Sequence, residues 1–103
     1  MNSKVKGAVL ERCQVIDHVG ECEYCGTWDY IQLHHAVGGN GRRLVHESKE
    51  SVWGLCKSCH DHLHGMNGAE MNYTLKRWTQ ERYKEQGYCD EEIRDLMGGR
   101  LYV

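Results

Sequence analysis

Apolar positions near the start of the chain recur at helical spacing. Val5, Val9, Cys13 and Ile16 follow one another at intervals of four, four and three, with Leu10 and Val15 flanking the stripe. This predicts one apolar face on a helix within residues 4–20, closed by Gly20. Residues 22–65 lose that periodicity. They are rich in Gly, His and Cys, with a short strand-like run at Tyr30-Ile31-Gln32-Leu33-His34 and a glycine loop at 38–41, so loops are expected to dominate there. Helical spacing then returns over 72–98. Asn72 is the expected N-cap of a helix running to about Gln86, with Leu75 and Trp78 inward and Met71 just ahead, and Gly87 is the expected stop. Asp90 is expected to cap a last short helix whose acidic first turn, Glu91-Glu92, complements the helix dipole. Ile93, Leu96 and Met97 would point inward and Gly98-Gly99 would end it.

These patterns predict an α+β domain, and 103 residues suit a single one. Hydrophobic residues at 40% and charged residues at 27% are the proportions of a folded globular chain. No apolar run approaches the roughly 18 residues of a membrane span. Neither a signal peptide nor a lipidation motif is visible, so a cytoplasmic location is the expectation. The formal net charge of -2 is unevenly spread. Only the middle of the chain, residues 41–84, is net basic, which allows a modest basic face and argues against strong non-specific binding of nucleic acid.

Cysteine spacing changes the picture. Six Cys in 103 residues fall below the roughly 8–10% of secreted disulfide scaffolds. Four of them form two Cys-x-x-Cys knuckles, Cys22/Cys25 and Cys56/Cys59, thirty residues apart. Four thiolates presented from two tight turns satisfy tetrahedral zinc, and such a site would fasten one end of the 22–65 region to the other. Cys13 and Cys89 are left over and are expected to be small buried hydrophobes.

Histidines cluster inside and just after this frame. His34-His35 end the strand-like run, and His60 and His64 follow the fourth cysteine four residues apart. On a helix starting near Ser58 these two share a face and can reach one cation, while His62 points elsewhere. Adjacent residues of a strand face opposite ways, so only one of His34 and His35 can ligate that cation and the other is free to handle protons. Ligands with open positions plus a separate imidazole base suit hydrolytic metal chemistry.

The ordered set Cys22-x-x-Cys25-Gly26, Leu33-His34-His35-Ala36-Val37-Gly38-Gly39, Gly54-Leu55-Cys56-x-x-Cys59-His60 and His64 resembles the zinc-ribbon form of the HNH, or ββα-metal, endonucleases found among phage and bacterial nucleases. The resemblance spans residues 22–65. It implies a ββα-metal core clamped by a four-cysteine zinc site and flanked by N- and C-terminal helices. It also implies His34 and His60 as ligands of a catalytic metal, His64 as the third ligand or a substrate contact, and His35 as the general base. The family's Asn, which ties down the loop carrying the base, is replaced here by Ser51, nine residues before His60. A hydroxyl is expected to supply one such hydrogen bond rather than a two-sided clamp, leaving Asn40 or His46 as substitutes.

The implied function is a metal-dependent DNA endonuclease that leaves 5′-phosphate and 3′-hydroxyl ends. Mg²⁺ or Mn²⁺ is expected in the catalytic site, though all-imidazole ligation also suits Zn²⁺ or Ni²⁺. Arg42, Arg43 and Lys57 are candidate contacts to the DNA backbone. Lys76, Arg77, Arg82 and Lys84 form either a solvated helix face or the edge of that surface. Trp53 and Trp78 are expected in the core and Trp28 at the knuckle. A monomer would make one cut, and a double-strand break would take a homodimer or two visits. The rival expectations are a zinc-ribbon module that binds DNA or protein without cutting, and a subunit of phage packaging or recombination machinery that a phage or host partner activates. Ribonuclease activity also fits the motif.

Overall fold

The computed structural model of the chain describes residues 1–38 and 45–103. Helix α1, Ser3–Arg12, is followed by strands β1, Val19–Glu21, β2, Trp28–His35, and β3, Val52–Cys56; helices α2, Lys57–Leu63, α3, Ala69–Glu85, and α4, Asp90–Leu96, complete the order. The fold class is α+β, as the sequence predicts. The three strands form one antiparallel sheet in the order β1-β2-β3. β2 is its centre: its first half pairs with β1, Trp28 opposite Glu21, and its second half with β3, Ile31 opposite Cys56 and His35 opposite Val52. Among the described residues no helix is long and apolar enough to cross a membrane.

α1 starts where the Asn2 side chain accepts hydrogen bonds from the Lys4 and Val5 amides. It ends at Arg12, well short of Gly20. Gln14, Asp17 and His18 all adopt positive φ, which reverses the chain into β1; Asp and His are among the non-glycine residues that enter that region most readily. Gly20 therefore lies in a strand. A Cβ there would fall 2.6 Å from the Cys13 carbonyl oxygen and from Val15 Cγ2, so close approach rather than helix termination requires the glycine. The apolar stripe is real only to Cys13. Val9 and Cys13 are buried with Val52, whereas Ile16, beyond the helix, is 76% exposed.

The 22–65 region carries more regular structure than its composition suggests. β3 is buried at all five positions because the sheet is covered on both faces. On one face Val9, Cys13 and Val52 pack with Val5, Val15, Ile31 and Leu33. On the other, Ala36, Trp53, Leu55 and Leu63 pack with Met71 and Leu75 of α3. A run with no polar alternation is what two-sided burial selects.

α3 begins three residues before Asn72, which caps nothing at its own position. Asn72 Nδ2 instead donates to the carbonyls of Leu63 and Gly68, joining the end of α2 to the start of α3. Met71, Leu75, Thr79 and Tyr83 recur every four residues on its buried face. Trp78 is only partly covered, lying between the rings of Tyr24 and Trp53. α4 is capped by Cys89, not Asp90: the Glu92 carboxylate accepts the Cys89 amide at 3.0 Å. Cys89 is exposed, contrary to expectation, and Cys13 is buried. Ile93 and Met97 pack on Val37 and Tyr83, with Leu96 partly buried beside them.

One carboxylate ties these layers together. Glu23 accepts two hydrogen bonds from Arg12, at 2.5 and 2.8 Å, one from Arg82 at 2.8 Å and one from the Gly54 amide at 2.9 Å. Arg82 also lies 3.3 Å above the Trp53 ring and donates to the Glu50 carbonyl. It thus belongs to the interior and not to a solvated or DNA-facing helix surface. Burial alone would raise the Glu23 pKa, but the hydrogen bonds from Arg12 and Gly54 and the two guanidinium charges outweigh it and hold the carboxyl below its usual value.

Two substitutions test this packing by urea unfolding. Glu23→Gln leaves both guanidinium groups poorly compensated and is expected to cost about 2–3 kcal/mol, somewhat below the roughly 3–5 kcal/mol for breaking a fully buried pair. Gly54→Ala places a methyl group against Cys13 Sγ and 2.9 Å from Ile31 Cγ2, with an expected cost of about 1–3 kcal/mol. A wild-type midpoint for either variant would show that the interior yields more readily than this geometry allows.

Candidate functional site

The two knuckles meet. Cys22 and Cys25 leave the turn between β1 and β2, where Gly26 takes a positive φ of 79° and its amide donates to the Cys22 carbonyl. Cys56 ends β3, and Cys59 sits in the first turn of α2, its amide directed at Cys56 Sγ. The four sulfur atoms lie within 4.8 Å of one another, the one such group of His, Cys, Asp or Glu donors among the described residues. Zn–S bonds of about 2.3 Å give a tetrahedron with edges of about 3.8 Å, and Cys25 Sγ lies 3.7 Å from Cys56 Sγ. The tetrad therefore fits a tetrahedral metal such as zinc. A hydrogen bond with Thr27 lowers the Cys25 thiol to about 6, whereas burial raises those of Cys56 and Cys59. A bound cation is what would let all four ionise together.

The same helix start carries the histidines. α2 begins at Lys57, immediately after Cys56, so His60 falls in its second turn and His64 at its C-cap. Their ring centroids are 4.6 Å apart, and the His34 ring on β2 stands 5.5 Å from His64 and 6.4 Å from His60. His34, His60 and His64 are thus gathered, although their donor atoms are not drawn as close as those of the tetrad. His34 is pushed down to about 4, first by burial and then by the neighbouring His64 and His60; burial and His64 lower His60 as well. Neutral imidazole is the ligating form. His62 and His64 are both exposed, and His60 is partly buried.

His35 takes the other face of β2, since successive residues of a strand alternate. Its Nε2 lies 2.7 Å from Glu47 Oε1, with 14% of the His35 side chain and 6% of the Glu47 side chain exposed. Sequence reasoning missed Glu47. Its only local signal was an acidic residue beside His46 in a polar stretch, and nothing there indicates a partner twelve residues away.

Ser51 does more than expected. Its buried hydroxyl donates to the His46 carbonyl at 2.8 Å and accepts the Ser48 amide at 3.0 Å, so it clamps two backbone points of the loop that carries Glu47. Ser48 Oγ in turn lies 2.6 Å from the Tyr83 hydroxyl of α3. His46 is partly buried, its ring near Gly98. Lys57 is exposed and paired with Asp61 at 2.7 Å. Trp28 is 55% exposed on β2 rather than packed at the knuckle. Asn40, Arg42, Arg43 and the glycines at 39 and 41 lie outside the described residues.

Metal content and removal test the tetrad. One zinc per chain is expected by elemental analysis of the purified protein, and a strong chelator should sharply lower the unfolding temperature. Cys56→Ser should lose the metal and the fold together, whereas His62→Ala should keep both. Metal-free protein with unchanged unfolding would remove the tetrad from any structural role. Comparison with protein-family models, with curated proteins and with solved structures finds no match to this chain.

Proposed function

We propose that the protein is a metal-dependent endonuclease of the HNH type acting on DNA, its fold held by zinc on Cys22, Cys25, Cys56 and Cys59. The observation that carries this reading is the convergence of His34, His60 and His64 beside that tetrad, with His35 next in the chain and held by a carboxylate. Bound on those three imidazoles, a divalent cation would polarise the phosphodiester and stabilise charge on the departing oxygen. His34 is kept neutral by burial, so it offers a lone pair at neutral pH. His35 would take the proton from water as that water attacks phosphorus. Ser51 would stand in for the family's Asn by fixing the loop behind His35.

One observation favours the rival, a zinc-ribbon module that binds DNA or protein without cutting: the three histidine donors are less closely gathered than the four thiols. Cleavage on delivery by a phage or host partner, by a monomer or a homodimer, remains part of the nuclease reading. Of Arg42, Arg43 and Lys57, Lys57 is the DNA-backbone candidate that lies among the described residues, and it would first have to leave Asp61.

Metal-stripped protein that keeps its structural zinc, resupplied with Mg²⁺, Mn²⁺, Ni²⁺ or Zn²⁺, is expected to convert supercoiled plasmid to nicked or linear form. His35→Ala should lower the rate by about 10²–10⁴-fold, the usual worth of a positioned general base. No cleavage in any metal, with DNA binding retained, selects the binding module. Cleavage undiminished in His35→Ala removes the proposed base.

A further inference from the structure

We infer that Glu47 is the positioning residue for His35, and that the backbone at Asn2, where α1 begins, holds Glu47 in place. The inference rests on the nuclease reading only for its functional consequence, because the arrangement itself can be tested without activity. Glu47 Oε1 lies 2.7 Å from His35 Nε2, and Glu47 Oε2 accepts the Asn2 amide at 2.9 Å. Both carboxylate oxygens are therefore engaged, one by the imidazole and one by main chain forty-five residues away in sequence.

The chemistry of these groups sets the tautomer. The hydrogen bond from His35, followed by that from Asn2, keeps the Glu47 carboxyl below its usual pKa, so it is ionised near neutral pH and can only accept. His35 must then carry its proton on Nε2, which leaves Nδ1 as the one basic nitrogen. A carboxylate behind an imidazole fixes the ring's orientation and stabilises the imidazolium that forms as a proton is taken up, without itself becoming protonated.

The support behind Glu47 comes from two sides. Ser51 closes the loop from His46 to Ser48, and Ser48 is anchored to Tyr83 of α3. From the other side comes Asn2, whose side chain also caps α1, so the first turn of the protein meets the element that orients the base. α1 otherwise contributes packing on the face of the sheet away from the three metal-type histidines, and Arg12 to the Glu23 network.

Asn2 permits a clean test. Its φ is -60°, close to the value proline imposes, so Asn2→Pro removes the amide donor without a new backbone conformation. Asn2→Pro and Asn2→Ala both lose the side-chain cap, and only the first loses the hydrogen bond to Glu47. Long-range ¹H–¹⁵N correlation of the imidazoles reports which ring nitrogen holds the proton. Wild type and Asn2→Ala should show His35 as the Nε2–H tautomer alone. Asn2→Pro should loosen that preference, and Glu47→Ala should abolish it with zinc content unchanged.

In the plasmid assay, Glu47→Ala should lower kcat roughly 10- to 100-fold, the range for losing a supporting hydrogen bond behind an active imidazole. KM should be unchanged, and Glu47→Gln, which keeps an acceptor oxygen, should lose less. If Glu47→Ala fails to fold, Glu47→Gln and the Asn2 pair decide the matter. An unchanged tautomer in Glu47→Ala, or wild-type kcat in a folded Glu47→Ala, overturns the inference. Absence of cleavage by wild type, with the tautomer responding as expected, overturns the nuclease reading and leaves the Glu47–His35 arrangement standing.

Discussion

Four sulfur atoms from two knuckles thirty residues apart are drawn within 4.8 Å of one another, and the helix that carries His60 and His64 starts between two of them. Cys56 is both the last residue of β3 and the N-cap of α2. A metal held there would fix the direction in which α2 leaves the sheet, and with it the distance from His60 and His64 to His34 on the neighbouring strand. The placement of the three imidazoles is thus subordinate to the tetrad. Ligand geometry of this kind is short-ranged and directional, and it would add to the apolar packing on either face of the sheet.

A second constraint supports the first from behind. Glu23 directly follows Cys22 and binds Arg12 of α1, Arg82 of α3 and the Gly54 amide of β3. The knuckle is thereby joined to both flanking helices and to the strand leading into the other knuckle. Because the guanidinium of Arg82 also lies on Trp53, the polar network and the apolar core share a wall. Perturbing either would reach the cysteines, and through them the histidines. The loop from His46 to Ser51 is held by Ser51 and Tyr83 and also by the same two arginines, Arg12 donating to the Lys49 carbonyl and Arg82 to that of Glu50, so the support behind His35 is continuous with the Glu23 network.

Much of this was legible in spacing. The Cys-x-x-Cys pairs, the His-x-x-x-His on a helix following the second pair and the opposed directions of His34 and His35 are local consequences of turn, helix and strand geometry. Of the buried face of α3, the sequence reading has Leu75 and the neighbouring Met71, but it starts the helix too late and sets Trp78 inward where the structure buries Thr79 and Tyr83. What spacing could not reveal depended on partners far along the chain. Gly20 looks like a helix stop until Cys13 and Val15 are seen crowding it. Arg82 looks like one more surface cation until Glu23, fifty-nine residues away, and Trp53 are placed beside it. Ser51 looks like a poor replacement for an amide until the loop folds back so that one hydroxyl can both donate and accept.

The sequence by itself therefore determined the chemistry at hand: which side chains are thiols and imidazoles, and which of them must share a turn or a helix face, since covalent geometry sets those relations over a few residues. Tertiary structure decided which face of the sheet each histidine serves, which carboxylate stands behind His35, and that the backbone at Asn2 reaches Glu47. The two contacts to Glu47 join residues twelve and forty-five positions apart. They exist only because the packing of α1, the sheet and α3 brings them together, and no local pattern encodes that packing.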